Sequence, residues 1–217
     1  MLSKLLALVA VFVLMVAGTS SSVIAEDALY EAPIPADKSL VRFVNAKLKN
    51  GLVVDFSGQK FSVDGKALSA YNIIQNGSYT IADGISSKDA VLEPGKFYTV
   101  AVGAEIDSEP TIIVIEDKAV DNPSKSALTF YNFASKPADL ALALKGDTRK
   151  LFEGVAPGSM SSRELPAIDI GLLASVNDQP VFEAEAISLA ADKRQNVVVL
   201  ETSVGVKAYL AMTALSK

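Results

Sequence analysis

The chain has 217 residues, half of them apolar, and its 20 basic against 25 acidic residues give a formal charge of −5. It contains no His, no Cys and no Trp. Those absences exclude Ser-His-Asp and Cys-His catalysis, His-ligated metal centres and any disulfide framework, and the acidic balance argues against nucleic acid, because neutralising phosphates takes a basic face.

Taken in order, the chain begins with Lys4 ahead of an unbroken apolar run, Leu5 to Ala17, then small polar residues and Val23-Ile24-Ala25 before the first acid, Glu26. Residues 1–25 read as a secretory signal peptide with cleavage after Ala25. A membrane anchor is the competing reading, but 13 apolar residues fall short of the roughly 20 that span a bilayer as a helix. The expected product is a soluble exported chain that does not span the membrane and, without Lys4, is one unit more acidic. Residues 26–37, EDALYEAPIPAD, form an expected extended arm, since Pro33 and Pro35 suit an extended segment better than a helix. Ala28, Leu29 and Tyr30 are the arm's apolar patch and the candidate docking residues, on a domain of this chain or on a partner.

KSLVRFVNA at Lys38 to Ala46 returns as KSALTFYNF at Lys125 to Phe133. Lys38 and Lys125, Ser39 and Ser126, Phe43 and Phe130, and Asn45 and Asn132 correspond at a constant offset of 87 residues. Each copy reads as a strand, and a repeated opening strand points to a repeated domain, with chance as the alternative. The expected organisation is a first domain over 38–116, a linker over 117–124 and a second domain over 125–217. Asn50-Gly51, Asp64-Gly65, Asn76-Gly77, Asp83-Gly84 and Pro94-Gly95 punctuate the first half as turn signals. Strands are expected at Leu52–Phe56, Lys66–Tyr71, Gly77–Ala82, Phe97–Val102 and Thr111–Glu116. The second half repeats the pattern with Ala127–Phe133, Asp139–Leu144, Lys150–Phe152, Arg163–Ile168, Ile170–Val176, Val181–Glu185, Asn196–Glu201 and Lys207–Thr213. No stretch has a helical period, so the fold class is all-β: two tandem antiparallel sandwich or barrel-like domains.

Few residues are left to carry chemistry. Ser159, Ser161 and Ser162 lie in PGSMSSRE, expected as a loop beside Arg163 and Glu164, with a polar turn as the plainer reading. Glu183 and Glu185 share a strand face as glycosidase carboxylates can, but also as a solvated edge does. Asp117, Asp121 and Asn122 cluster without the spacing of a calcium loop. No catalytic residue, metal or cofactor is therefore expected. Arg42, Lys145, Arg149 and Lys150 are the candidate contacts for an acidic polymer, and the six tyrosines could stack on sugar rings where exposed, most being expected in the core.

Asp27-Ala28-Leu29-Tyr30 before the Pro-containing arm, followed by Val41-Arg42-x-x-Asn45-Ala46, resembles the alginate O-acetylation protein AlgF family. Gly77-Ser78-Tyr79-Thr80, Phe97-Tyr98-Thr99-Val100, and Ser126-Ala127-Leu128 with Asn132 continue the likeness. The resemblance implies a periplasmic, non-catalytic adaptor that works with a membrane-bound O-acyltransferase and periplasmic acetyltransferases to place acetyl esters on mannuronate residues of alginate. In that family the partners carry the catalytic motifs, so none is carried over; contact with the polymer itself is a further expectation. The alternatives are a stand-alone polysaccharide-binding or envelope structural module, and an acetyl carrier using Ser159 or Ser161 with a Lys or acid set against it.

Overall fold

The computed structural model describes residues 35–119, 121–144 and 147–212, the side chain of Leu144 excepted, and all of them belong to one compact unit. Among them every regular element is a strand. The first half holds β1 (Lys38–Asn45), β2 (Leu52–Phe56), β3 (Gln59–Val63), β4 (Asn72–Gln75), β5 (Gly77–Ala82), β6 (Ser87–Leu92), β7 (Phe97–Ile106) and β8 (Glu109–Asp117). The second holds β9 (Lys125–Phe133), β10 (Ala138–Leu144), β11 (Asp147–Val155), β12 (Ser159–Pro166), β13 (Asp169–Val176), β14 (Gln179–Ser188), β15 (Arg194–Thr202) and β16 (Gly205–Met212).

Four four-stranded sheets result, in the orders β4-β1-β7-β8, β3-β2-β5-β6, β12-β9-β15-β16 and β11-β10-β13-β14. Adding eight to each strand number turns the first pair of sheets into the second. Even the one parallel pairing in each half obeys the rule, β1 with β7 and β9 with β15, while every other pairing is antiparallel. The echo in the opening strands is thus the visible part of a repeat that runs through the whole fold.

The echoed residues are structural. Asn45 Nδ2 donates to the carbonyls of Lys49 (2.8 Å) and Asp64 (2.9 Å), and its Oδ1 accepts from Lys49 N. Asn132 Nδ2 does the same with Lys136 (2.8 Å) and Val155 (2.8 Å), while its Oδ1 accepts from Ala134 N. Each Asn therefore ties the chain leaving the first strand of its half to the end of the third. Ser39 and Ser126 each donate to a backbone carbonyl, of Glu93 and Lys193. Phe43 and Phe130 each enter the sandwich core of their own half.

A third apolar cluster joins the halves. Val44, Ala46, Ala101 and Ala104 of the first meet Tyr131, Phe133, Val198 and Leu200 of the second. The two sheets that contain β1 and β9 therefore pack back to back, with an outer sheet beyond each. Both faces of β1 and β9 are buried, from the second residue of each strand onward. That is why these strands read as nearly continuous apolar runs rather than as an alternation. Taking Val44, Phe133, Val198 and Leu200 out of water contributes roughly 1.5–3 kcal/mol each.

Several expectations are corrected. Lys66–Tyr71 is not a strand and pairs only through isolated bridges at Leu68, to Val44, and at Tyr71. Its apolar residues are there to wedge into the seam, where Ala67 and Leu68 are buried. β3, β4 and β6 carry a weak signal because they are short edge strands with a single fully buried side chain each. Of the five turn signals only Asp83-Gly84 closes a hairpin; the other four lie outside hairpin loops, at Asn50, Asn76 and Pro94 where the chain changes sheets and at Asp64 where it leaves β3. Tight hairpins are made instead by Ser57-Gly58, Asp107-Ser108 and Asn177-Asp178, all at positive φ, as the twist of flanking strands requires. The expected linker begins inside a strand, for Asp117 pairs with Phe97 and is 5% exposed.

Candidate functional site

Arg42 lies on the face of β1 opposite Phe43, which places its guanidinium in the seam at 1% exposure. Its Nε donates to Thr99 Oγ1 (2.9 Å), and its Nη2 donates to Tyr131 OH (2.7 Å) and Asn196 Oδ1 (3.0 Å). Nη2 also stands 3.4 Å from Asp117 Oδ2. Asp117 accepts from Tyr71 OH (2.6 Å), Thr99 Oγ1 (2.7 Å) and Tyr131 OH (2.6 Å). The guanidinium carbon sits 4.6 Å from the centroid of the Tyr71 ring and 5.5 Å from that of Tyr131.

Two residues of this cluster, Tyr131 and Asn196, come from the second half, so one buried charge pair bolts the halves together. Burial opposes the charge on Arg42, but Tyr131, Tyr71 and Asp117 outweigh it and hold the guanidinium above its usual range. Burial pushes both tyrosine hydroxyls well above the ordinary phenol value; nearby Arg42 pulls them back, but Asp117 adds to the rise. A buried ion pair with this many hydrogen bonds fixes the groups around it relative to one another.

Beside it a cleft of about 340 Å³ opens between the halves, lined by Gly95, Lys96, Phe97 and Glu116 from one side and Ala127 and Ser162 from the other. Most of its polar groups are committed. Lys96 pairs with Glu116 at 2.7 Å. Arg194 stacks over Phe97 at 4.6 Å and donates to the Lys118 carbonyl. Glu164 accepts from the backbone N–H groups of Asp121 (2.6 Å) and Asn122 (3.1 Å), anchoring the connecting segment to β12. Lys118, Asp121 and Arg163 also line the cleft and are exposed.

The structure disperses the residues singled out in the sequence. Arg42, expected to face an acidic polymer, is instead an interior residue, because both faces of β1 are covered. Arg149 and Lys150 are exposed neighbours on the edge strand β11 and so point to opposite faces. Lys150 is held by Asp139 (3.0 Å) and Glu153 (2.7 Å), which raise its pKa. Burial works against the Asp139 carboxylate, but the Gly154 N–H and Lys150 outweigh it and keep its pKa low. Lys145, Ala28, Leu29, Tyr30 and the cleavage position after Ala25 lie outside the described residues.

Ser159, Ser161 and Ser162 occupy β12 rather than a loop. Ser159 Oγ donates to the Ala156 carbonyl (2.6 Å), Ser162 shares a hydrogen bond with Thr129, and no Lys or acid is set against Ser159 or Ser161 among the described residues. Glu183 and Glu185 are exposed on the edge strand β14. Asp117 faces Arg42 while Asn122 Oδ1 accepts from Ser124, so these oxygens do not converge on one point. Tyr71, Tyr98 and Tyr131 are buried and Tyr79 and Tyr209 half-buried. Sequence reasoning missed the role of Tyr71, Thr99 and Asn196, whose bonds within the cluster link residues up to 154 positions apart.

No family model matches the chain, and no curated protein matches it. Among solved structures it is similar to the C-terminal domain of AlgF from P. aeruginosa, at 16% identity and a TM-score of 0.34, covering 41% of this chain and 98% of that domain. It is also similar to a family 26 carbohydrate-binding module of Amy13K from Eubacterium rectale, solved with maltoheptaose, at 11% identity and a TM-score of 0.26, covering 82% and 97%. At these scores neither likeness carries weight about function.

Proposed function

We propose that the protein is a periplasmic, non-catalytic accessory of polysaccharide O-acetylation of the AlgF kind, acting by contact with a membrane-bound O-acyltransferase and periplasmic acetyltransferases. The observation that carries the reading is the seam. The buried ion pair and its tyrosines, the one place where charged and hydroxyl groups converge away from water among the described residues, are spent on holding two sandwiches as a single body. Such a body presents faces and a cleft to partners, in keeping with the Val41-Arg42-x-x-Asn45-Ala46 strand and the arm on which the family resemblance rests. Arg42 itself belongs to the frame of this body rather than to its docking surface. No helix among the described residues is long and apolar enough to cross a membrane.

The test is the acetyl-ester content of exported polymer, read by proton NMR, in a strain lacking the gene and in the same strain complemented. Loss and recovery of acetyl at unchanged polymer yield is expected, with full recovery by a Ser159→Ala, Ser161→Ala complement. Unchanged acetylation on deletion overturns the reading in favour of a stand-alone polysaccharide-binding module. Failure of the double-serine complement alone assigns an acetyl-carrier role instead.

A further inference from the structure

The repeat serves as its own control, and an aromatic pair common to both halves is covered in one and open in the other. In the first half Phe43 of β1 and Phe61 of β3 stand 5.4 Å apart. In the second, Phe130 of β9 and Phe152 of β11 stack at 6.4 Å. Val41 pairs with Asn72 on the neighbouring edge strand, and its counterpart Leu128, 87 residues on, pairs with Arg163. The Arg163 guanidinium lies over the Phe152 ring, 6.0 Å from its centroid. Asn72 is too short to do the same for Phe61.

The surrounding chain diverges at the same place. β12 pairs along eight residues of β9, whereas β4 pairs along only four residues of β1, and a longer connection, 64–71 against 156–158, fills in beside Phe43. Ser69 takes over the missing pairing, accepting from Phe43 N through its Oγ and donating its own N–H to the Phe43 carbonyl. The outcome is an open pocket of about 430 Å³ with Phe43, Phe61 and Leu68 in its wall and Ser62, Asp64, Lys66 and Asn72 at its rim.

We infer that this pocket is a docking site for an arginine side chain of a partner protein, the intermolecular counterpart of the seat that Arg163 fills within the second half. A guanidinium is weakly hydrated and packs on aromatic rings, and the half-buried Phe61 ring lines this pocket. The rim supplies acceptors: Asn72 Oδ1 and Ser62 Oγ have no hydrogen-bond partner among the described residues, and Asp64 is a carboxylate. Lys66 meets Asp64 at 3.5 Å, but both side chains are more than half exposed, and an ion pair in water is exchanged at little cost. The chain's net acidity favours the approach of a basic partner. The biological meaning of the site rests on the adaptor reading above, whereas its chemistry is tested without any acetylation assay.

N-acetyl-arginine methylamide, titrated into isotopically labelled protein, should shift the Phe61 ring and Asn72 side-chain amide resonances saturably, with a dissociation constant of the order of 1 mM. Phe152 should not respond. Asn72→Arg, which plugs the pocket from within, should weaken binding by at least about tenfold. Arg163→Ala should create a second saturable site reporting on Phe152, a gain that misfolding cannot mimic. Shifts that do not saturate, or that survive Asn72→Arg, overturn the proposal. So does an Arg163→Ala protein with no new site, or saturation of the same resonances by a mannuronate oligomer with none by the arginine probe, which would make this a sugar subsite.

Discussion

Arg42 decides more of this structure than any other side chain. Its charge interrupts a strand that is otherwise a nearly continuous apolar run, and nothing within reach along the chain names the groups that satisfy it. The partners that satisfy it are Thr99, Asp117, Tyr131 and Asn196, which the fold delivers from four other strands. Removing one member of a buried pair strands the other. Arg42→Met should therefore cost about 3–5 kcal/mol, whereas Arg42→Met combined with Asp117→Leu, which removes both charges, should recover most of that loss. Urea midpoints of the wild type, both single variants and the double variant give the coupling directly; a double variant as unstable as the sum of its parts would show that the charges are not paired in solution.

Among the elements, the edge strands and crossings were hardest to read. Central strands such as Leu52–Phe56 and Gly77–Ala82 carry their burial pattern in the local sequence and appear within their expected bounds. β3 and β6 bury few side chains, so their pattern is weak. The segment 66–71 is apolar for a reason that belongs to the seam rather than to a strand. One glycine is required by packing rather than by a turn. A Cβ on Gly171 of β13 would lie 2.7 Å from the Ala143 carbonyl and 3.1 Å from that of Glu185, backbone atoms of the two flanking strands. Gly171→Ala should thus cost about 1–3 kcal/mol, which a thermal melt would report as a drop in Tm of about 3 °C per kcal/mol. An unchanged Tm would mean that the sheet relaxes around the methyl.

At the scale of the molecule, the two sandwich-like halves of the repeat share a buried seam. The seam buries the inner sheets of both halves against each other and encloses the charge cluster. Cutting the chain would expose Val44, Phe133, Val198 and Leu200 and leave Asp117 without Tyr131. The halves should therefore unfold together: a single calorimetric transition is expected, with van't Hoff and calorimetric enthalpies in agreement. Two resolved transitions would show that each sandwich stands alone and that the seam is a soft contact. The same consideration explains the four-residue echo. Ser, Phe and Asn recur because each half must close the same crossing and fill the same core, while Thr129, the counterpart of Arg42, bonds Ser162 on the neighbouring strand.

The all-β character, the position of most central strands and the presence of a repeat are local properties, written in alternation, turn residues and a nine-residue echo, and the sequence alone sufficed for them. Which turns cross between sheets, the parallel pairing of β1 with β7, the burial of Arg42 and the pocket left open by Asn72 were decided by tertiary structure. The physical reason is the same in each case. A strand has two faces, and a neighbour from far along the chain determines which of them is covered, by what, and whether a polar group on it meets water or a partner.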